Sequence, residues 1–321
     1  MRRRTLTAAI LALSALMVLG PVAAAELYRG TNRGDRITGT DDADSIKARG
    51  GEDRVRALGG DDIVYAGRGR DIASGGTGND LLSGGKGTYR DRLYGNIGND
   101  RLLGGSGGDL LSGGVGNDRL FGSFGNDVLD GYIGNDFLAG NEGDDSLTGA
   151  AGRDALYGGP DQDRLTGGEF HDRVHGGPGG DQVIGNLGND TLTGGLGNDT
   201  LFGDAGNDKL FANQGVDSLF GGAGNDDLWA LAGIDVAQPG VDTVNAGAGN
   251  DAIHTRDNEP DVVFCGPNKD SAQLDTVDVI ADATPAKPKG SCETVVRAAP
   301  KKGQANAENR TESPKEDALR G

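Results

Sequence analysis

The sequence predicts an all-β protein: a parallel β-solenoid of nine-residue repeats, two repeats to a coil, with a small disulfide-closed cap near the C-terminus. Three observations carry this. Residues 185–211 read GNLGNDTLT GGLGNDTLF GDAGNDKLF, with Asp190, Asp199 and Asp208 at the sixth place of each nine and Leu192, Leu201 and Leu210 at the eighth. A period this strict marks one small unit stacked many times. The last three residues of a nine alternate polar, apolar, polar, as in Thr191-Leu192-Thr193, the pattern of a very short strand with one side chain turned inward. Finally, the chain holds 60 Gly and few aromatic residues. That composition cannot build an ordinary globular core, yet the glycines keep register instead of forming a low-complexity smear.

The first six residues of each nine are turn chemistry. Gly reaches positive φ at no steric cost, and Asn tolerates the left-handed region. A three-residue strand buries no core alone; stacked in a parallel coil, it completes its backbone ladder on both sides and aligns its Leu with the neighbours above and below. Two nines to a coil place Asp190 over Asp208 and Asp199 over Asp217. Bare columns of carboxylates would repel along their whole length, so a cation is expected between them. The turns offer carboxylate oxygens and unpaired carbonyls, which is calcium chemistry; zinc would call for Cys and His.

The repeated G-G-x-G-x-D-x-U-x, with U a large aliphatic residue, resembles the hemolysin-type calcium-binding repeats of RTX proteins, from about Gly30 to about His254. The resemblance implies a parallel β-roll with multiple Ca2+ ions between successive turns, held by the position-six Asp and by turn carbonyls. On that basis the metal ligands are the position-six residues of well-formed turns: Asp80, Asp100, Asp109, Asp118, Asp127, Asp136, Asp145, Asp154, Asp190, Asp199, Asp208 and Asp226.

In chain order, residues 1–25 read as a secretory signal, with Arg2-Arg3-Arg4 as the charged start, an apolar run from Leu6 to Leu19 and Ala23-Ala24-Ala25 at the cleavage site. The apolar run is too short for a membrane span. Residues 26–74 keep Asp35, Asp44, Asp53, Asp62 and Asp71 in register but lose several turn glycines. They read as the atypical end of the stack, with weaker or absent metal sites. The calcium-binding repeats run over 75–255, with a two-residue insertion within 84–91 that should bulge one turn and let the ladder resume at Leu93. Beyond it the nines continue unbroken from Asp91 to Asp235, where Ala237-Gln238-Pro239-Gly240 shortens one unit before Asp242 and Asp251.

Two adjacent repeats replace the position-four Gly by Asp161 and Phe170 and carry His171 and His175, one in a turn and one on a strand. Strained turns and solvated imidazoles are expected there. Outward positions show an apolar row, Ile97, Val115, Ile133 and Ala151, and aromatic pairs, Phe202 with Phe220 and Phe211 with Trp229. Tolerated surface is one reading of the row, a docking stripe the other; the aromatic pairs suit contact with the terminal cap, a ligand being the alternative. Thr occurs at position three only at Thr77, so the flat hydroxyl array of an ice-binding face is missing.

Residues 256–297 form the cap. Cys265 and Cys292 are the only cysteines, and an even pair in an exported chain argues for a disulfide, reactive thiols being the alternative. Cys265-Gly266 and Cys292-Glu293 also resemble endings of exported actinobacterial calcium-binding repeat proteins. Residues 298–321 lack apolar periodicity and read as a disordered tail.

Charge bounds the partners. The chain has 31 basic and 49 acidic residues, and removal of the signal leaves 28 basic, a net of minus 21. Such a chain disfavours nucleic acid and anionic membrane and favours cations. No H-E-x-x-H occurs, and the G-x-S-x-G match, Gly104-Gly105-Ser106-Gly107-Gly108, is the turn glycine of a repeat around its third position, so no enzyme is expected. The functional reading is a secreted, extracellular calcium-binding protein whose roll folds on calcium. The alternatives are an adhesive or structural element with a cell-surface or matrix partner, and a non-catalytic accessory of a secreted hydrolase.

Overall fold

The computed structural model describes residues 26–230, 240–257, 259–281 and 291–297. The expected signal at 1–25 and tail at 298–321 lie outside the described residues. The strands pair in parallel, and no helix occurs among the described residues. The chain divides after Phe137 into two compact units. Within each, successive strands alternate between two sheets, so a strand pairs with the second strand before it and the second after it. This is a parallel β-solenoid. In the first unit Leu82 lies between Val64 and Leu102; in the second Leu192 lies between Val174 and Leu210.

The pairing step is the two-repeat coil: Thr191 faces Lys209, eighteen residues on. Most strands run to six residues rather than three. Thr191–Leu196 continues through Gly194-Gly195, which the sequence reads as turn. Position two is the reason. There the backbone enters the left-handed region, at φ 131° in Gly195, 73° in Asn186 and 80° in Asn213, while coil-to-coil pairing continues. The bend is thus inside the strand. Leu58 and Tyr132 adopt the same conformation, at φ 91° and 75°, which costs a side-chain-bearing residue more than Gly or Asn.

Burial follows from this geometry. Along a typical strand the position-eight Leu and the position-one Gly are buried and the residues between them are half-buried. Leu82, Leu102, Leu120, Leu192 and Leu201 are fully enclosed. Each repeat therefore contributes one large apolar side chain and one backbone-thin residue to the space between the sheets. Position-six Asp lies just before the strand and is buried as well.

Two irregularities set the register. The insertion within 84–91 stretches one coil to twenty residues, with Leu81 facing Arg101, and the enclosed Leu93 resumes the ladder as expected. The second corrects the expected run of nines to Asp235. Asp242 and Asp251 stack directly on Asp217 and Asp226, each twenty-five residues apart. Asp235 falls in 231–239, outside the described residues, and the coil there is lengthened, not shortened.

Residues 262–264, 271–274, 279–280 and 294–297 add four further strands to the same two sheets. Cys265–Asp270 is one more turn in register, with Cys265 at position one. Cys265 and Cys292 are bonded, with Cα atoms 5.2 Å apart. Asp161 and Phe170 take φ 82° and 77°. The strand before Asp161 shortens to Ala155–Tyr157, whereas Arg164–Glu169 before Phe170 keeps six residues.

Candidate metal centres

Each position-six Asp begins as a backbone problem. It sits where a turn enters a strand, and its N–H points along the stack toward the next coil. That N–H donates to Oδ1 of the Asp one coil on: Asp190 to Asp208 at 2.8 Å, Asp208 to Asp226 at 2.9 Å, Asp100 to Asp118 at 2.7 Å. The carboxylates are therefore not bare opposing charges. One oxygen of each is fixed by the neighbouring coil.

The second oxygen is placed differently. In Asp80, Asp100, Asp109, Asp118, Asp190, Asp199, Asp208 and Asp226, Oδ2 is buried with no hydrogen-bond partner. Asp127 and Asp136 share the arrangement, with Oδ1 accepting from Asp109 at 2.6 Å and from Asp118 at 2.7 Å. Asp145 and Asp154 are equally buried and donate their N–H groups to Asp163 and Asp172, both at 2.8 Å. All twelve sequence-predicted residues thus occupy one kind of place in the coil.

What surrounds Oδ2 explains the glycine before it. A methyl group on Gly185 would lie 2.5 Å from Asp190 Oδ2 and 2.8 Å from the Gly203 carbonyl oxygen. On Gly203 it would lie 2.6 Å from Asp208 Oδ2 and 2.5 Å from the Gly221 carbonyl oxygen. Position one is therefore a cradle in which a carboxylate oxygen and the carbonyl of the next coil approach one point. Among the described residues no three His, Cys, Asp or Glu side chains converge. An ion here must draw on backbone carbonyls, as a hard cation with oxygen ligands does. The residues present fit calcium.

Electrostatics agrees with an unmet need. Burial pushes the Asp208 carboxyl up to about 7, against the Asp190 N–H that lowers it, with the Asp190 and Asp226 carboxylates pushing it further. Asp100 is raised to about 7, Asp199 to about 8 and Asp118 to about 6, burial leading in each case. Without a counter-charge these groups are held toward their protonated form.

Sequence reading missed several residues with this geometry. Asp53, Asp62, Asp71, Asp163, Asp172, Asp181, Asp217, Asp251, Asp261 and Asp270 also bury an Oδ2 without a partner. Their turns lack one or more glycines or depart from the motif elsewhere. The nine-residue Asp register alone would have found most of them. The end turns differ. Asp35 Oδ2 accepts from Thr31 N–H at 2.6 Å and Oγ1 at 2.9 Å, and Asp44 Oδ2 from Thr40 N–H at 2.7 Å and Oγ1 at 3.2 Å. At the other end Asp278 Oδ2 accepts from Thr255 Oγ1 and Asp275 N–H, both at 2.7 Å. Thr255 stands at position one, and its hydroxyl reaches the carboxylate of the next coil.

The histidines do not converge on a site. His171 Nδ1 accepts from Asn189 N–H at 2.7 Å, while His175 packs 6.2 Å from the Tyr157 ring and burial pushes its pKa down. His175 is thus half-buried rather than solvated. Phe202 and Phe220 stack at 4.9 Å, and the second aromatic pair extends into a row, Phe211, Trp229 and His254, with Asp227 3.0 Å from His254 Nε2. Ile97, Val115 and Ile133 stand exposed in register on one sheet edge.

The model of the RTX calcium-binding nonapeptide repeat matches the chain in overlapping segments that together run from 29 to 257, the first 29–64 and the last 237–257. A search of the curated proteins returned no match. The family match covers well over half of the chain, which therefore belongs to the RTX calcium-binding repeat family; it is a calcium-binding β-roll repeat protein, and multiple calcium ions are its cofactors. Among the described residues no helix is long and apolar enough to cross a membrane.

Proposed function

We propose that this is a secreted protein whose roll folds around its calcium ions. The observation that supports this is the column of buried Oδ2 atoms with no protein donor. A buried carboxylate without compensation is costly, and removing the compensation costs more than never burying it. Calcium, when bound, supplies the missing positive charge. The chain's own part is positional: the Asp N–H of one coil fixes Oδ1 of the next, which leaves Oδ2 in the glycine cradle beside a carbonyl. Donors from two coils meet only when the coils stack, so binding contributes to folding free energy.

The ligands we assign are the twelve predicted Asp residues, to which the shared geometry adds Asp53, Asp62, Asp71, Asp163, Asp172, Asp181, Asp217, Asp251, Asp261 and Asp270. The charged start, apolar run and small-residue end of 1–25 support export, and extracellular calcium suits a chain that stays unfolded until outside the cell. We assign no catalytic role, because the buried carboxylates face backbone, not a substrate-sized cleft. Equilibrium dialysis against calcium tests the reading. Many ions per chain are expected, with fewer bound by D208N. One or two ions per chain, or an unchanged number in D208N, would contradict it.

The exposed row of Ile97, Val115 and Ile133 favours a second, compatible reading as an envelope or matrix element. I97S/V115S/I133S should then lose surface association and keep its calcium.

A further inference from the structure

The chain's acidity does not describe its surface. Between residues 26 and 100 the position-six carboxylates are mostly inside, and the exposed carboxylates are Glu26, Asp41, Asp42, Glu52 and Asp61, against twelve exposed Lys and Arg. Four of the twelve stand together on one sheet face that carries no carboxylate. It is the outer side of strands Arg36–Thr38, Arg54–Gly59, Ile72–Thr77 and Arg92–Ile97, all in the first unit. Register places Arg36 beside Arg54, then Ile72 and Arg92 in one row, and Thr38, Arg56, Ser74 and Tyr94 in the next. No carboxylate stands in either row.

This arrangement has a cost that the fold does not explain. Arg36 and Arg54 are like charges on adjacent strands about 4.8 Å apart, a destabilising pair. Arg36, Arg54, Arg56 and Arg92 are all exposed, and among the described residues none has an ion-pair partner. An anion lying across the strands would relieve both problems. We propose that this face binds an acidic polysaccharide, a uronic-acid polymer lying along the stacking direction of the coils.

The chemistry of the two rows selects that class. A planar guanidinium matches a planar carboxylate through two parallel hydrogen bonds. A polyuronate carries one carboxylate per sugar, a repeat comparable with the strand spacing of about 4.8 Å. Thr38 offers a hydroxyl for sugar hydroxyls, and Tyr94 a ring on which a sugar face can rest. A flat sheet face presents no element that enters a duplex groove. Within the two rows the one aliphatic side chain is Ile72, half-buried; the exposed Leu58 and Ile97 stand outside them.

The test is binding of a polyglucuronate decamer to the full chain at constant saturating calcium, followed by calorimetry. Wild type should bind, with affinity falling as salt rises. R36Q/R54Q/R56Q/R92Q should weaken it by at least about tenfold, with unchanged circular dichroism and calcium stoichiometry. Should that variant not fold, R54Q/R56Q carries the test, with a loss of about threefold expected. No binding by wild type, or equal binding by the folded variants, would overturn the proposal. So would tighter binding of a single-stranded oligonucleotide or of phosphatidylglycerol vesicles at the same ionic strength. Loss of calcium binding with retained polymer binding would break the calcium reading and leave this one standing.

Discussion

The turns inside the roll and the turns at its ends hold the same carboxylate in two different ways. Inside, Asp208 has one oxygen fixed by the neighbouring coil and the other facing a glycine cradle without a donor. At the ends, Asp44 and Asp278 have the corresponding oxygen bonded by Thr40 and Thr255. A threonine hydroxyl and a backbone N–H thus do locally what calcium does in the interior. On the proposed reading this is a division of labour: the turns of Asp35, Asp44 and Asp278 close with the chain's own donors, whereas the interior turns, and that of Asp270, wait for an ion. A stack that must start somewhere gains from ends that hold without metal, because a solenoid grows from contacts between neighbouring coils.

The comparison can be broken most severely from the inside. D190N/D208N removes two carboxylates from one column while keeping their shape, so the calcium concentration needed for folding should rise by about tenfold or more, since an amide is a far weaker calcium ligand than a carboxylate. A calcium titration followed by circular dichroism reads this directly; an unchanged midpoint would mean that these turns are not the coupled sites.

The second test is pH on metal-stripped protein. The interior carboxyls are pushed up, to about 7 in Asp208 and about 8 in Asp199, above the usual unfolded value of about 4. In that interval the folded chain binds more protons than the unfolded one. Stability is fully present below about pH 4 and is lost as pH rises through the folded values. The metal-free roll should therefore show its strongest β signal near pH 4 and lose it by about pH 8. Saturating calcium should abolish that loss. A metal-free signal that grows with pH would oppose the assignment.

At the ends the effects are smaller and opposite in kind. T255V removes a buried hydroxyl from Asp278, whose carboxyl burial holds toward its protonated form, and should cost roughly 0.5–1.5 kcal/mol, the range for a neutral hydrogen bond. T40V removes a partly exposed and longer bond and should cost about 1 kcal/mol or less. Both losses should appear in denaturant melts of the metal-free protein at acid pH and leave the calcium midpoint in place. A shifted midpoint in T40V would show that the end turns also take up the ion.

Much of this was legible in the chain itself. Asp190, Asp199 and Asp208 at nine-residue spacing gave the coil, and the glycines before them marked the turns. The six-residue strand was not legible, because Gly194-Gly195 looks like turn chemistry when read locally. Only tertiary pairing keeps a left-handed residue within a ladder. The bond from Asp N–H to the next Asp joins residues eighteen apart, which no local pattern announces. Asp163 and Asp172 were passed over for lacking a glycine at position four, where Asp161 and Phe170 adopt the left-handed backbone instead. Thr31, Thr40 and Thr255 carry no motif, and their role appears only when their partners are placed. The acidic composition misled about the surface for the same reason: it counts carboxylates without saying which are inside.

The most direct measurement is circular dichroism of metal-free protein at pH 7.5 during a calcium titration, with magnesium as control and a chelator to reverse it. The account predicts a cooperative gain of β signal with calcium, none of comparable size with magnesium, and full loss on chelation. A β signal already complete without calcium at that pH would contradict it, because the buried Oδ2 column would then be tolerated without its ion.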